Sequence, residues 1–290
     1  MATKITAQMV KTLREMTDSP MMECKKALVE AEGDLEKAVD VLRTMGIAKA
    51  VKKAGRDTNE GTVGAYVTPD GHAGALVEVS CETDFVGSNP KFTGFAAQLA
   101  QVVAEKNPAD VEALKALPMN ENETVDAALT ELIHTMGENM KIARIVRREI
   151  ADGALAGYVH GGKLADLVEF SFTKPDTFDT QAFKTFAHDV AMQVAAAQPV
   201  AARIEDVPAE TIEHEMSIYK KQAAESGKPE AIQERMAEGR LNKYYKENVL
   251  TEQAFIKDGD MSIRQYAEKT SKEVGDTIEI VAFDRFAFGE

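Results

Sequence analysis

The apolar positions of the first fifty residues repeat at helical spacing. Met9, Val10 and Leu13 share one face of a helix that Thr6 can cap, and Thr17-Asp18-Ser19-Pro20 breaks it. A second helix turns Cys24, Ala27, Leu28 and Ala31 inward and stops at Gly33. Asp34 caps a third, with Ala38, Val41, Leu42 and Met45 inward and Gly46 just past its end. A separate basic helix over 47–54 is expected as a linker. Met21 and Met22 open the second helix. Helical spacing favours both as core filler, yet adjacent residues cannot both point inward, so one is expected to face out.

Past residue 60 the period shortens and the chain begins to repeat itself. Ala75-Leu76-Val77-Glu78-Val79-Ser80 recurs as Asp166-Leu167-Val168-Glu169-Phe170-Ser171, an offset of 91. At the same offset Phe92 meets Phe183, Phe95 meets Phe186, and Val103-Ala104 meets Val194-Ala195. Slightly upstream, Gly64-Ala65-Tyr66-Val67 resembles Ala156-Gly157-Tyr158-Val159. Each copy reads as strand, turn, strand, short connection, helix, with Pro69-Asp70-Gly71 as the first turn. Ser88 is expected to cap the first copy's helix, with Pro90 in its first turn and Phe92, Phe95, Leu99 and Val102 buried. The second copy's helix spans about 181–197.

Positions shared by the copies are explained by packing; the difference between them is more informative. The first copy connects strand to helix through Cys81-Glu82-Thr83-Asp84-Phe85-Val86-Gly87, the second through Phe172-Thr173-Lys174-Pro175-Asp176-Thr177-Phe178. A residue that the fold itself demands should recur, and Asp84-Phe85 does not. An aromatic ring in such a connection either turns back into the helix–sheet core or projects toward a partner. Spacing alone favours the core.

Beyond Ala197 a linker over 199–208 leads into a charged helix, about 211–225, with Ile212, Met216 and Tyr219 on one stripe. Ser226-Gly227-Lys228-Pro229 is a break, and a return helix aligns Ile232 and Met236 with Arg240. Thin apolar stripes among dense charges predict a protruding antiparallel hairpin. The segments 241–250 and 261–267 and the apolar run 278–288 return to the body, the last as a strand completing the second copy's sheet. The expected division is therefore 1–56 as a helical head, 57–152 as the first core repeat, 153–200 with 241–290 as the second, and 201–240 as the hairpin.

Charge refines the picture. The chain carries −14 overall, which argues against a general nucleic-acid binder, whose affinity comes from cations displacing phosphate counterions. The head holds 11 Lys and Arg against 8 Asp and Glu, so the acidity belongs to the body, with 23 against 40. Only two cysteines occur, Cys24 and Cys81, with no CxxC, so a reducing cytoplasm is the expected location. The start, residues 1–7, has no apolar signal core, and no apolar run is long enough to span a bilayer.

Signals of catalysis are weak. Gly157-Tyr158-Val159-His160-Gly161-Gly162-Lys163 has phosphate-loop spacing, but Leu164 replaces the magnesium-binding hydroxyl and the segment joins two strands. His72, His134, His160, His188 and His214 are scattered, without metal-ligand spacing. Cys24 has Lys25 and Lys26 beside it, which more simply lie on the solvated face of their helix. No cofactor or enzymatic role is expected.

Several blocks then support a sharper statement. Leu13-Arg14-Glu15-Met16-Thr17, Met21-Met22-Glu23-Cys24-Lys25-Lys26-Ala27-Leu28 and Ala31-Glu32-Gly33-Asp34 closely resemble the N-terminal module of bacterial elongation factor Ts. So do Lys52-Lys53-Ala54-Gly55-Arg56, Glu82-Thr83-Asp84-Phe85-Val86, Tyr158-Val159-His160-Gly161-Gly162, and the run from Ser226-Gly227-Lys228-Pro229 to Met236-Ala237-Glu238-Gly239-Arg240, all in family order. The resemblance implies an α+β fold: a three-helix (UBA-like) module, then the duplicated strand-turn-strand-helix core with the inserted antiparallel hairpin. It implies a guanine-nucleotide exchange factor for elongation factor Tu, the GTPase that delivers aminoacyl-tRNA. On that resemblance Arg14, Met21 and Met22 dock on the GTPase's nucleotide domain. Thr83, Asp84, Phe85 and Val86 form the wedge that dislodges Mg2+ from the partner, with Phe85 entering a pocket. His160 touches another domain of the same partner, and the hairpin matches a dimerisation or partner-contact element, allowing a 2:2 complex. Neither direct nucleic-acid nor membrane contact is implied. The resemblance departs at the end, where some members continue into a C-terminal helical module after the final strand.

Overall fold

In the computed structural model residues 4–290 are described, so the reading of residues 1–3 as part of a leaderless start lies outside them. The chain divides into two compact units. One comprises the residues up to Gly64 with Val77–Ile145 and Phe288–Glu290; the other comprises Ala65–Leu76 and Val146–Ala287.

The first unit begins with three helices, α1 (Ala7–Thr17), α2 (Met21–Glu30) and α3 (Leu35–Lys53). Thr6 caps α1 by accepting from the Met9 N–H at 3.3 Å, and Asp34 caps α3 by accepting from Lys37 at 3.1 Å. Asp18 ends α1 in the left-handed conformation, φ 51°, and Glu32 and Gly33 turn the chain after α2 at φ 52° and 91°. Val10 and Leu13 from α1, Cys24, Ala27 and Leu28 from α2, and Ala38 and Leu42 from α3 close a small core of their own.

Gly46 does not end the third helix. α3 runs unbroken from Leu35 to Lys53, so the expected linker helix is its second half. An interior glycine costs a helix about 1 kcal/mol relative to alanine. His134 packs against it, so that a Cβ at position 46 would stand 3.4 Å from the His134 side chain, in van der Waals contact.

Strands β1 (Glu60–Val67) and β2 (Ala73–Cys81) follow, then a one-turn helix α4 (Asp84–Gly87) and the long α5 (Pro90–Lys106). Asn89, rather than Ser88, caps α5, accepting from the Lys91 N–H at 2.9 Å. Ser88 instead donates to the Asp84 carbonyl at 2.7 Å and closes α4, an element too short for periodicity to register. Phe92, Phe95 and Leu99 of α5 are buried. The helix lies so close to β1 that a Cβ on Gly64 would fall 2.4 Å from the Ala96 carbonyl oxygen, which only glycine permits. Helices α6 (Val111–Ala116) and α7 (Val125–Met136) and strand β3 (Met140–Glu149) come next, and the sheet order is β1-β2-β3. Thr124 caps α7, whose Val125, Leu129 and Ile133 are buried.

The second unit repeats the plan. β4 (Ala154–His160) and β5 (Leu164–Ser171) form a hairpin pairing Tyr158 with Asp166, and α8 (Gln181–Ala197) follows. Phe170 of β5 meets Phe183 and Phe186 of α8 edge-on, at centroid distances of 5.6 and 5.7 Å. The helical hairpin α9 (Ala209–Ala224) and α10 (Glu230–Asn248) comes next, α10 continuing through Leu241, which sequence placed back in the body. Then β6 (Ala254–Phe255), β7 (Asp258–Ser262), α11 (Ile263–Val274) and β8 (Glu279–Ala287) close the chain, and the sheet order is β4-β5-β8. β8 pairs antiparallel with β5, setting Asp166 opposite Arg285. The fold is α+β, as the sequence pattern predicts.

The duplication is longer than the 91-residue offset shows. In each copy a helix ends at a left-handed glycine, an acid follows at once, and the third strand begins: Gly137 (φ 81°) and Glu138 between α7 and β3, Gly275 (φ 69°) and Asp276 between α11 and β8. The hairpin inserted into the second copy shifts this part out of register.

Candidate protein-docking site

β2 ends at Cys81 and the chain turns directly into α4. Thr83 is the hinge of that turn. Its hydroxyl accepts from the Val86 N–H at 3.4 Å, capping α4, and donates to Oε1 of Glu138 at 2.6 Å. The other Glu138 oxygen accepts from the N–H groups of Glu82 and Thr83 at 3.1 and 3.0 Å. Glu82 in turn accepts from the Asn139 N–H at 2.6 Å and pairs with Arg56 at 3.2 Å. The turn also packs closely from below, since a Cβ on Gly87 would stand 3.1 Å from the Gly61 carbonyl oxygen.

On this braced turn Val86 points inward, 9% exposed, whereas Phe85 is 84% exposed and Asp84 is open to solvent. Successive helical residues point about 100° apart, so burying Val86 swings Phe85 out. The core placement that spacing favours for Phe85 is therefore overturned. Val86 anchors the turn from beneath. The exposed phenyl ring buries little against its own chain and is free to meet another surface.

The head supplies a second apolar surface. Met21 and Met22 are 57% and 63% exposed, so both face out and neither fills the core. The inward face of α2 is taken by Cys24, Ala27 and Leu28, and Glu23 occupies the side that pairs with Lys49 of α3. That leaves no inward direction for the first turn. Met16, at the end of α1 and 59% exposed, extends the same kind of surface, and Arg14 is exposed nearby in sequence. Met16 has no local signal that separates it from the buried methionines. Lys91, at the start of α5, pairs with Asp18 beyond the end of α1 at 2.7 Å.

His160, in the second unit, ends β4 at an exposed position. Its Nδ1 lies 3.1 Å from the Tyr158 hydroxyl, and the Tyr158 ring contacts His188 of α8 edge-on at 5.6 Å. Arg14, Met21, Met22, Thr83, Asp84, Phe85 and Val86 thus share the first unit, and His160 belongs to the second.

The phosphate-loop spacing at 157–163 is the turn of the β4–β5 hairpin, with Gly161 and Gly162 at φ 57° and 69°. A phosphate loop needs a helix N-terminus after its strand, and here a second strand follows. Cys24 is buried, its Sγ donating to the Ser19 carbonyl at 3.4 Å, and burial pushes its thiol up, away from nucleophilic character. A cleft of about 860 Å3 in the second unit is lined by Lys174, Arg203 and Arg264, whose cations are already held by the Gly275 carbonyl, Asp206 and Glu252.

What these residues build is exposed apolar surface on a fixed frame: an aromatic ring on a braced turn and a methionine-bearing helical head. Comparison with known proteins is specific. A model of the family described as Elongation factor TS matches residues 82–290. Relatives named Elongation factor Ts include those of Trichlorobacter lovleyi, 45% identical over 99% of this chain and 93% of its own, and Clostridium perfringens, 46% identical with the same coverage. That of Clostridium botulinum is 44% identical, again over 99% and 93%. The chain belongs to the elongation factor Ts family, a family of translation elongation factors.

Proposed function

We propose that this chain is a guanine-nucleotide exchange factor that binds elongation factor Tu in its GDP form and promotes GDP release by displacing Mg2+. The observation that carries the proposal is Phe85, 84% exposed on a turn clamped by Glu138 and Gly87. Such a ring is presented to something outside the chain.

The chemistry required is binding, not bond making. In the partner, Mg2+ and the GDP phosphates hold each other in place, so displacing either loosens the other, and exchange factor and nucleotide weaken each other's binding reciprocally. A thousandfold weakening of nucleotide requires about 4 kcal/mol. Burying one phenylalanine yields about 1.5–3 kcal/mol, so the prong does not act alone. The remainder comes from docking. Met21, Met22 and Met16 offer apolar area beside the Arg14 cation, and the His160 end of β4 offers a second contact. Phe85 enters a pocket in the partner while Asp84, at the exposed N-terminus of α4, accepts a hydrogen bond there. Thr83 and Val86 hold the turn from beneath. The chain has no cofactor of its own in this reading, catalyses no covalent step, works in the cytoplasm and leaves nucleic acid to its partner. The hairpin of α9 and α10 is the element through which two complexes associate.

Stopped-flow release of fluorescent GDP from elongation factor Tu tests this directly. The wild-type chain accelerates release, and Phe85→Ala reduces the maximal acceleration at least tenfold while its melting temperature stays within a degree or two, because the ring contributes little to its own fold. Near-normal exchange by that variant would count against the proposal.

A further inference from the structure

Glu138 is not suggested by any motif, yet it makes more hydrogen bonds to the wedge turn than any wedge residue makes to another. Its two oxygens take three donors from Glu82 and Thr83, 56 and 55 residues away in sequence. A carboxylate accepting from a hydroxyl and two backbone N–H groups forms charge-assisted bonds, about twice as strong as neutral ones. The bond at 2.6 Å also fixes the Thr83 hydroxyl proton, which leaves the oxygen's lone pair for the Val86 N–H. Without Glu138 that hydroxyl rotates freely, and the N-cap that helps to orient Phe85 loses its fixed lone pair.

The same segment reaches the head. His134, one turn before Glu138, is fully buried against Gly46 of α3, with Nε2 standing 3.4 Å from Oε2 of Glu23 on α2. Glu23 is also paired with Lys49 of α3, and Lys53 donates to the Ile133 carbonyl at 3.2 Å. Burial holds the His134 imidazole below its ordinary pKa despite Glu23. Glu23 directly follows Met21 and Met22. Helix α7 therefore touches the docking helix with His134, and two residues past its end Glu138 holds the prong's cap.

We infer that Glu138 is a positioning residue for nucleotide exchange: carried just past the end of α7, its carboxylate locks the Thr83 cap so that Phe85 is presented at a fixed place relative to docking helix α2. The second copy supplies an internal control. There Asp276 accepts from Thr173 N–H and hydroxyl, Lys174 N–H and the Thr177 hydroxyl, at 3.2, 2.6, 2.9 and 2.7 Å. That clasp serves a connection whose ring, Phe178, turns inward onto Phe183. The clasp is thus part of the duplicated scaffold, and only in the first copy does it hold an outward-facing aromatic.

This inference rests on the exchange reading, and the experiment separates the two. GDP release from elongation factor Tu is measured against exchange-factor concentration for the full-length chain, giving a maximal rate and a half-saturating concentration. Glu138→Gln, which keeps the shape and removes the charge, is expected to lower the maximal rate about tenfold with half-saturation within about twofold of wild type. Thr83→Val should reproduce the loss, Thr83→Ser should restore the rate, and Glu138→Gln with Thr83→Val should be no worse than either alone. Asp276→Asn should lower the melting temperature and leave both kinetic values unchanged. An unaltered maximal rate in Glu138→Gln, or equal losses in Asp276→Asn, overturns the positioning role while leaving the exchange reading intact. If Glu138→Gln fails to fold, the Thr83→Val and Thr83→Ser pair decides alone. If Phe85→Ala exchanges normally, it is the exchange reading that falls.

Discussion

Phe85 and Val86 are neighbours with similar hydrophobicity and opposite fates, and the difference lies in what surrounds the turn. Gly87 packs against Gly61 and Cys81 on the inner side of the turn, and of the two side chains only that of Val86 is buried. Met21 and Met22 show the same logic at the head: the inward directions are occupied, so two flexible thioethers stay at the surface. Methionine suits that place because its unbranched side chain adapts to a partner at small cost. Met21→Lys combined with Met22→Lys should raise the half-saturating concentration for exchange at least tenfold, with an unchanged maximal rate at saturation. Each buried methionine is worth about 1.5–3 kcal/mol, and neither is buried in the free chain. Titration of GDP release against factor concentration reads both values, and an unchanged half-saturation would remove the methionines from the interface.

At the scale of elements, both sheets are built on one plan, and the second carries a feature the first lacks. Asp166, on β5, the central strand of its sheet, is fully buried and neither carboxyl oxygen has a hydrogen bond. Tyr158 and Arg285 stand opposite it on the flanking strands. Burial pushes its pKa up to about 8, with Arg285 pulling the other way. An ordinary aspartate in the unfolded chain titrates near ~3.9. Between those values the folded chain holds a proton that the unfolded chain releases, so this group's stabilisation is complete below about pH 4 and is lost as pH rises toward 8. Asp166→Asn stays neutral throughout. Urea unfolding at pH 5, 6, 7 and 8 should show the variant gaining on wild type as pH rises, and a constant difference would refute the assignment. The element that sequence divided in two, α3, is continuous because α7 packs along it and His134 fills the notch at Gly46. Periodicity within α3 cannot report a partner ninety residues away.

For the molecule as a whole, charge and area matter more than any one residue. The body's acidity disfavours binding to phosphate backbones, while the head is slightly basic. On the proposed exchange reading, a prong worth at most about 3 kcal/mol needs a broad docking surface around it, which a chain much larger than its distinctive tetrapeptide can supply. The hairpin has little to bury by itself: Ala223 and Ala237 are its only fully buried positions among the described residues of α9 and α10, and Ile232 is 44% exposed. If two complexes associate through it, Ile232→Glu should convert a 2:2 assembly with elongation factor Tu into a 1:1 assembly in light scattering, with GDP release per factor unchanged. A 2:2 mass retained by that variant would place the association elsewhere.

The helices, their caps and the internal duplication were legible along the chain, because capping hydroxyls, left-handed glycines and apolar periods act over a few residues. Thr6 and Asp34 cap where their spacing says they should, and the paired phenylalanines of α5 and α8 are buried in both copies. The motif around Phe85 was legible as well, but its direction was not, since spacing pointed the ring inward. Exposure of Phe85, burial of Val86, the uninterrupted α3 and the clasp of Glu138 on Thr83 were decided only by tertiary structure. Each depends on groups distant in sequence that compete for the same small volume or the same hydrogen bond, and one acid among 48 carries no local mark that it will reach across the fold to hold another turn in place.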